Sequence, residues 1–318
     1  MTLVVLQAVV FLAAVGLTGL LAGGARRLQL LDEPTTRSAH SSPTPLGGGF
    51  AIVLPFLLVC AYCASVELLS QAHFLALLGG TLVALVGLVD DWQQLDLRWR
   101  LPLQLLAAVW SVAWLGGTPA IDFGLWTLSH PWALNLLAVL ALVWLLNLYN
   151  FMDGIDGLAG AELLFITGMS SFLVITADAG ALSWLFATLF AAGAGFLCWN
   201  WPPAKIFMGD VGSSFVGFTL GVLALLSMQQ EVLTVWTWFI LLGVFVVDTA
   251  VTLLRRLVDG QRWYDGHASH AYQHAARGYR SHARVTISIT GINCLWLAPL
   301  AWLSVIQPQL GVYLTMVA

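Results

Sequence analysis

The chain is a succession of long apolar runs, and every lysine and arginine falls in alternate gaps between them. The runs cover 2–24, 47–66, 72–89, 101–116, 132–149, 158–177, 181–199, 214–228, 235–254 and 284–305. A helix crosses a bilayer core in about 20 apolar residues. Backbone groups in lipid must pair within their own segment, and the alternation of barrel strands is absent. The prediction is an all-α polytopic membrane protein of about ten transmembrane helices, eleven if the residues after Pro308 also enter the bilayer. It treats 1–318 as a single integral membrane domain. Charged residues are only 9% of the chain, against about 25% in soluble domains.

The gaps set an orientation. Lys205 and the arginines lie in 25–46, 90–100, 200–213 and 255–284, while the intervening loops carry only Glu67, Asp122, Asp178 and Glu231. The positive-inside rule then puts the basic loops in the cytoplasm and both termini outside, in an inner membrane. No basic residue precedes the first run and Arg26-Arg27 follow it, so it reads as a retained helix rather than a signal peptide. Cys60, Cys63, Cys198 and Cys294 all lie in or at the ends of apolar runs and read as small buried hydrophobes.

Polar residues gather in the same loops. "LVDDWQQLDLRWR" places Asp90 and Asp91 where the third run ends, and "NLYNFMDGIDGLAG" brings Asn147, Asn150, Asp153 and Asp156. "NWPPAKIFMGDVGSS" adds Asn200, Lys205, Phe207 and Asp210, and "DGHASHAYQHAARGYR" adds His267, His270 and His274. Each has a structural alternative. Asp210 can cap a helix, Asp-Gly pairs make turns, and histidines beside arginines can touch lipid headgroups.

Together they point to chemistry. Adjacent carboxylates at Asp90 and Asp91 repel unless a cation lies between them or a proton is retained. Oxygen ligands without cysteine favour Mg²⁺, with Mn²⁺ as the alternative, over zinc. Mg²⁺ uses one or two carboxylates and fills its shell with water and phosphate oxygens, which suits a diphosphate. Arg98, Arg100, Lys205, Arg277 and Arg280 offer cations to phosphate. The glycines of 47–49, of "DGIDG" and of "MGDVGS" are expected to let backbone approach a ligand. The reading is metal-assisted phosphoryl transfer at the membrane surface.

These four stretches, in this order, together with the looser "HSSPTPLGGG" and "DTAVTLLRR", resemble the polyprenyl-phosphate N-acetylhexosamine-1-phosphate transferases. The resemblance implies a helical bundle, often dimeric, with an inclined or broken helix near the ninth. It implies transfer of an N-acetylated sugar-1-phosphate from a UDP-sugar to undecaprenyl phosphate in the membrane lipid, with UMP leaving and Mg²⁺ as cofactor. No nucleic-acid partner is expected. By the resemblance Asp210 is the Mg²⁺ ligand with Asp91 beside it, and Asp90 deprotonates or orients the acceptor phosphate. Direct attack and a covalent intermediate on the pair are both compatible with it. Asn147, Asn150, Asp153, Asp156, Asn200 and Phe207 fall around the nucleotide. Lys205, Arg98 and Arg100 serve substrate, and His267 and His270 serve the diphosphate.

Within the family, Arg98 and Arg100 follow the aspartate pair where the peptidoglycan branch, the phospho-N-acetylmuramoyl-pentapeptide transferases, has lysines. His40 and Ser41 occupy the corresponding part of the first loop. The pattern resembles the transferases that start O-antigen and related polysaccharides, so the expected donor is a UDP-N-acetylhexosamine or a 6-deoxy relative. Asp248 shares a helix face with Thr252 and Arg255, which predicts either an ion pair to Arg255 or support of the site. A transporter would instead place its polar groups near the bilayer midplane.

Overall fold

The computed structural model describes residues 3–28, 31–33, 43–175, 180–261 and 269–318. The helices are α1 (Leu3–Leu28), α2 (Phe50–Ser65), α3 (Gln71–Gln93), α4 (Leu97–Leu115), α5 (Pro131–Met152), α6 (Leu158–Ile175), α7 (Ala181–Asn200) and α8 (Asp210–Gln229). They continue with α9 (Val235–Leu241), α10 (Gly243–Val258), α11 (Ala271–Tyr279), α12 (His282–Ile292), a π-turn at Asn293–Leu297, α13 (Ala298–Ile306) and α14 (Gly311–Val317). Two short antiparallel ladders complete the fold: Leu31–Asp32 with Thr44–Pro45, and Ile121–Asp122 with Thr127–Leu128.

The chain is a multi-pass, all-α membrane protein, and the described part of each predicted run is mostly helix. Fewer than ten helices meet the length and hydropathy of a full span. Among the described residues, seven helices are long and apolar enough to cross, or eight if one bent pair is a single span. The reasons are local. Helix α2 has 16 residues and spans about 24 Å, short of a core about 30 Å thick. Helix α4 carries Arg98, Arg100 and Gln104 near its start. The run 235–254 bends by 80° between α9 and α10, where Gly243 removes the side chain that would resist a kink. This is the broken helix that the resemblance implies.

Helix α8 is the axis of the bundle, buried along most of its length and packed on α2, α3, α4 and α5. Two glycine contacts decide where its first turn sits. A Cβ on Gly87 of α3 would strike the backbone of Asp210 and Val211. One on Gly49 would strike the backbone of Gly212 and Met208. The Gly48 and Gly49 amides donate to the carbonyls of Phe207 and Met208 at 2.9 and 2.8 Å. Gly48 and Gly49 therefore bring backbone against backbone at the start of α8. Because α3 meets α8 at Gly87, its next turn brings Asp90 and Asp91 to the start of α8.

Candidate active site

Helix α8 begins with unpaired backbone donors, as every helix does. Asp91 fills that need from α3. Its Oδ1 accepts the Asp210 amide at 2.8 Å and its Oδ2 the Val211 amide at 3.1 Å. The side chain of Asp210 is left to face the neighbouring cleft. Its Oδ1 accepts Asn150 Nδ2 at 2.7 Å, and its Oδ2 lies 3.5 Å from Arg100 Nη2. The same Asn150 amide reaches Ser213 Oγ at 2.9 Å. Arg100 also pairs with buried Asp90, whose other oxygen accepts the Leu95 amide at 2.6 Å. Asp90, Asp91, Asn150, Asp210 and Arg100 are thus one connected group from α3, α4, α5 and α8.

A cleft of about 610 Å³ opens beside them, lined by Asp32, Glu33, Asp90, Asp91, Arg100 and Asp210 with Leu31, Leu46, Gln94 and Leu95. Five carboxylates face it and one guanidinium, an arrangement hostile to a phosphate unless cations join. Asp153, at the turn after α5, feels the same field. Removal from water, then the charges of Asp210, Asp91 and Asp156, raise its carboxyl well above the ordinary range. Among the described residues no three His, Cys, Asp or Glu side chains form a ready-made cage. A hard cation that takes one or two carboxylates and substrate oxygens needs none, and this all-oxygen donor set fits one.

The remaining residues divide between brace and periphery. Asn200 is buried, taking the Gly157 amide at 3.0 Å and donating to the Ile206 carbonyl at 2.9 Å. It ties the 153–157 turn to the 201–209 loop. Asp156 does the same through the Ala204 amide, at 3.0 Å. Asn147 bonds Gln104 of α4 at 3.1 Å and the Val143 carbonyl at 2.7 Å. Phe207 is half-buried, its backbone paired with Pro45 and Gly48. Lys205 is exposed with its ammonium over the Trp199 ring. Arg98 pairs with Asp96 at 3.1 Å in the open. Neither of these cations joins the carboxylate group.

Of the histidines, His267 lies outside the described residues. His270 is buried, with Nδ1 3.2 Å from Asp248 Oδ1. Asp248 also accepts the amides of Ala271 and Tyr272, both at 3.0 Å, and the Thr252 hydroxyl at 3.1 Å. The Thr252 contact is the one the helix face predicts. Of the two roles expected for Asp248, the ion pair to Arg255 gives way to a cap on α11, because two unpaired amides lie within reach of the carboxylate. Helix α11 then docks through the Tyr272 hydroxyl, which donates to the Phe151 carbonyl at 2.8 Å.

Residues 73–228, from α3 to α8, match the family model described as Glycosyl transferase family 4. A phospho-N-acetylmuramoyl-pentapeptide-transferase of Moorella thermoacetica (strain ATCC 39073 / JCM 9320) is 32% identical over 70% of this chain and 72% of its own. The chain belongs to the polyprenyl-phosphate N-acetylhexosamine-1-phosphate transferases. Two further relatives are named for a different activity. A probable undecaprenyl-phosphate N-acetylglucosaminyl 1-phosphate transferase of Bacillus subtilis (strain 168) is 31% identical over 74% of this chain. A decaprenyl-phosphate N-acetylglucosaminephosphotransferase of Mycobacterium leprae (strain TN) is 29% identical over 93% of this chain and 80% of its own. The match spans 66% of the Bacillus protein's length.

Sequence reasoning misses four residues of this transferase. Asp32 and Glu33 line the cleft from the first loop. Ser213, one turn into α8, takes Asn150. His282, at the start of α12, meets Asp156. Ser213 alone carried a signal, lying one helical turn after Asp210.

Proposed function

We propose that this transferase moves an N-acetylhexosamine-1-phosphate from a UDP-linked sugar to undecaprenyl phosphate at the cytoplasmic face of the inner membrane, starting a lipid-linked envelope glycan of the O-antigen type. The observation that carries the reading is Asp210. It opens α8, faces the cleft between Arg100 and Asn150, and stands beside the Asp90–Asp91 pair. The basic loops support the cytoplasmic side.

In this reading an oxygen of the acceptor phosphate attacks the sugar-bearing β-phosphorus of the donor. The bond from that phosphorus to the bridging oxygen breaks, and UMP leaves with the electron pair. One phosphoanhydride is lost and one is made, so the reaction needs positioning and charge more than a strong base. Asp90, fixed by Arg100 and Leu95, orients the acceptor phosphate or takes its proton. Arg100 donates to phosphate oxygens as they enter. Asp210, with Asp91 beside it, would hold Mg²⁺, or Mn²⁺ in its place. Such an ion would supply charge neutralisation at the diphosphate and Lewis-acid polarisation of its oxygens. Phe207 offers a ring face to uracil, and Asn150 and Asp153 line the nucleotide side. The resemblance assigns His267 and His270 to the diphosphate, and His270 would act there through the cap that it shares with Asp248.

The N-acetylglucosamine-1-phosphate transfer for which the Bacillus and Mycobacterium relatives are named favours a small UDP-N-acetylhexosamine donor. The Moorella relative supports the second reading, a UDP-muramoyl-pentapeptide donor. Competition decides between them. Unlabelled UDP-N-acetylglucosamine should displace labelled UDP-N-acetylhexosamine from the purified protein, and the pentapeptide nucleotide should not. Turnover of the pentapeptide nucleotide alone would reverse the choice.

A further inference from the structure

Asp156 is the second aspartate of "DGIDG", and it joins three separate stretches. Its Oδ2 accepts the amide of Ala204, at 3.0 Å, in the 201–209 loop. Its Oδ1 lies 3.2 Å from Nδ1 of His282, and its own amide points at the same Nδ1 from 3.3 Å. Its carbonyl accepts the Thr286 hydroxyl at 3.2 Å. His282 and Thr286 are one turn apart on α12, so a single face of that helix holds the residue.

The far end of α12 is fastened as well. Asn293, which opens the π-turn, donates to Glu162 Oε2 of α6 at 2.6 Å, with both residues buried. Helix α6 is the helix that the Asp156 turn leads into. Attachment at both ends fixes where His282 stands relative to that turn. A buried polar pair of this kind specifies one packing of two helices more sharply than apolar contacts do.

We infer that His282 is a positioning residue for the donor site. It holds Asp156, Asp156 holds Ala204, and Ala204 sets the course of the loop that carries Phe207 and ends at Asp210. The inference rests on the reading of that loop as the nucleotide wall. Histidine suits the position because Nδ1 has a partner in either state. With a proton it donates to the Asp156 carboxylate, and without one it accepts the Asp156 amide. Asparagine can place a donor and an acceptor near the same point, whereas alanine offers neither.

The test compares full-length wild type, His282→Ala and His282→Asn in detergent, reading UMP release and thermal unfolding. Wild type is run first with UDP-N-acetylglucosamine and with UDP-muramoyl-pentapeptide. If neither gives UMP, the functional reading itself has failed. With an active wild type, His282→Ala should raise the donor KM about ten-fold, the worth of one hydrogen bond to a charged group. It should leave kcat within about two-fold, because only uniform binding is lost. His282→Asn should recover most of the KM. An unchanged KM in His282→Ala would overturn the inference. So would a joint fall in kcat, KM quality and unfolding temperature that asparagine fails to repair, since that pattern marks a residue needed only to fold.

Discussion

Two helices of this transferase start against an aspartate borrowed from another helix, and they use it differently. At α8, Asp91 of α3 grips the amides of Asp210 and Val211. At α11, Asp248 of α10 grips the amides of Ala271 and Tyr272. In both, a carboxylate satisfies donors that the helix cannot pair internally and meets the positive end of its dipole. Helix α8 is 20 residues long and buried, so its first turn cannot move without disturbing the core. That first turn presents Asp210 to the cleft. Helix α11 is nine residues long and buries only Tyr272 and Ala276. Its cap adds His270 to the same grip and latches the helix onto the 151–154 turn. The lesson is that a carboxylate at a helix start does not declare its role. What the first-turn side chains face decides it.

The largest expected effect is at the residue that separates the two cases. Asp210→Asn should keep the fold and the cap while removing a charge from the proposed reacting centre, and its rate should fall roughly 10²- to 10³-fold. Asp91→Asn should act through position. Losing half of the two-amide grip costs about 0.5–2 kcal/mol of stability, and a small displacement of Asp210 costs up to about 10²-fold in rate. A lowered unfolding temperature together with the slower rate, measured on one preparation, would distinguish it from Asp210→Asn.

Asp153 gives a pH signature at the α8 end alone. Its raised carboxyl keeps a proton in the metal-free protein above the range where ordinary carboxylates lose theirs. A cation in the cleft favours the ionised form and expels that proton. Apparent Mg²⁺ affinity should therefore tighten as pH rises and weaken as pH falls through the raised value, by up to about ten-fold per pH unit for one proton. Mg²⁺ activation curves at about pH 6 and pH 8 should differ, and Asp153→Asn should reduce the difference, the remainder belonging to the other carboxylates of the cleft.

At α11, Asp248→Asn should be milder. The latch loosens, and the donor KM should rise about five-fold with kcat nearly kept. A loss as large as that of Asp210→Asn would put α11 in the reacting centre and erase the contrast. Smallest of all is Arg98→Ala, expected within about two-fold of wild type, because an exposed ion pair is worth little.

Much of the α8 end was legible in the sequence. Polar groups in so apolar a chain stand out, and the Asp90–Asp91, Asn150 and Asp210 stretches converge in space. The two arginines were not separable by composition. Asp96 caps α4 and so draws Arg98 to itself, while Arg100, two residues on, turns the other way to Asp90 and Asp210. Reading Asp96 as a cap would have told them apart. Contacts over long separations left no local signal. His282 lies 126 positions from Asp156, and Asn293 lies 131 from Glu162. Hydropathy sees apolar runs and is blind to the short α2, the polar start of α4 and the 80° bend between α9 and α10, which is why fewer than ten helices have the length and hydropathy of a full span.

The most direct test of the account is the stoichiometry of transfer. Purified wild type, given UDP-N-acetylglucosamine, undecaprenyl phosphate and Mg²⁺, should release UMP and form lipid-linked sugar diphosphate in equal amounts. Asp210→Asn, equally folded, should form almost none of either. Equal turnover by wild type and Asp210→Asn, or UMP released without the lipid product, would contradict the placing of sugar-1-phosphate transfer at the start of α8.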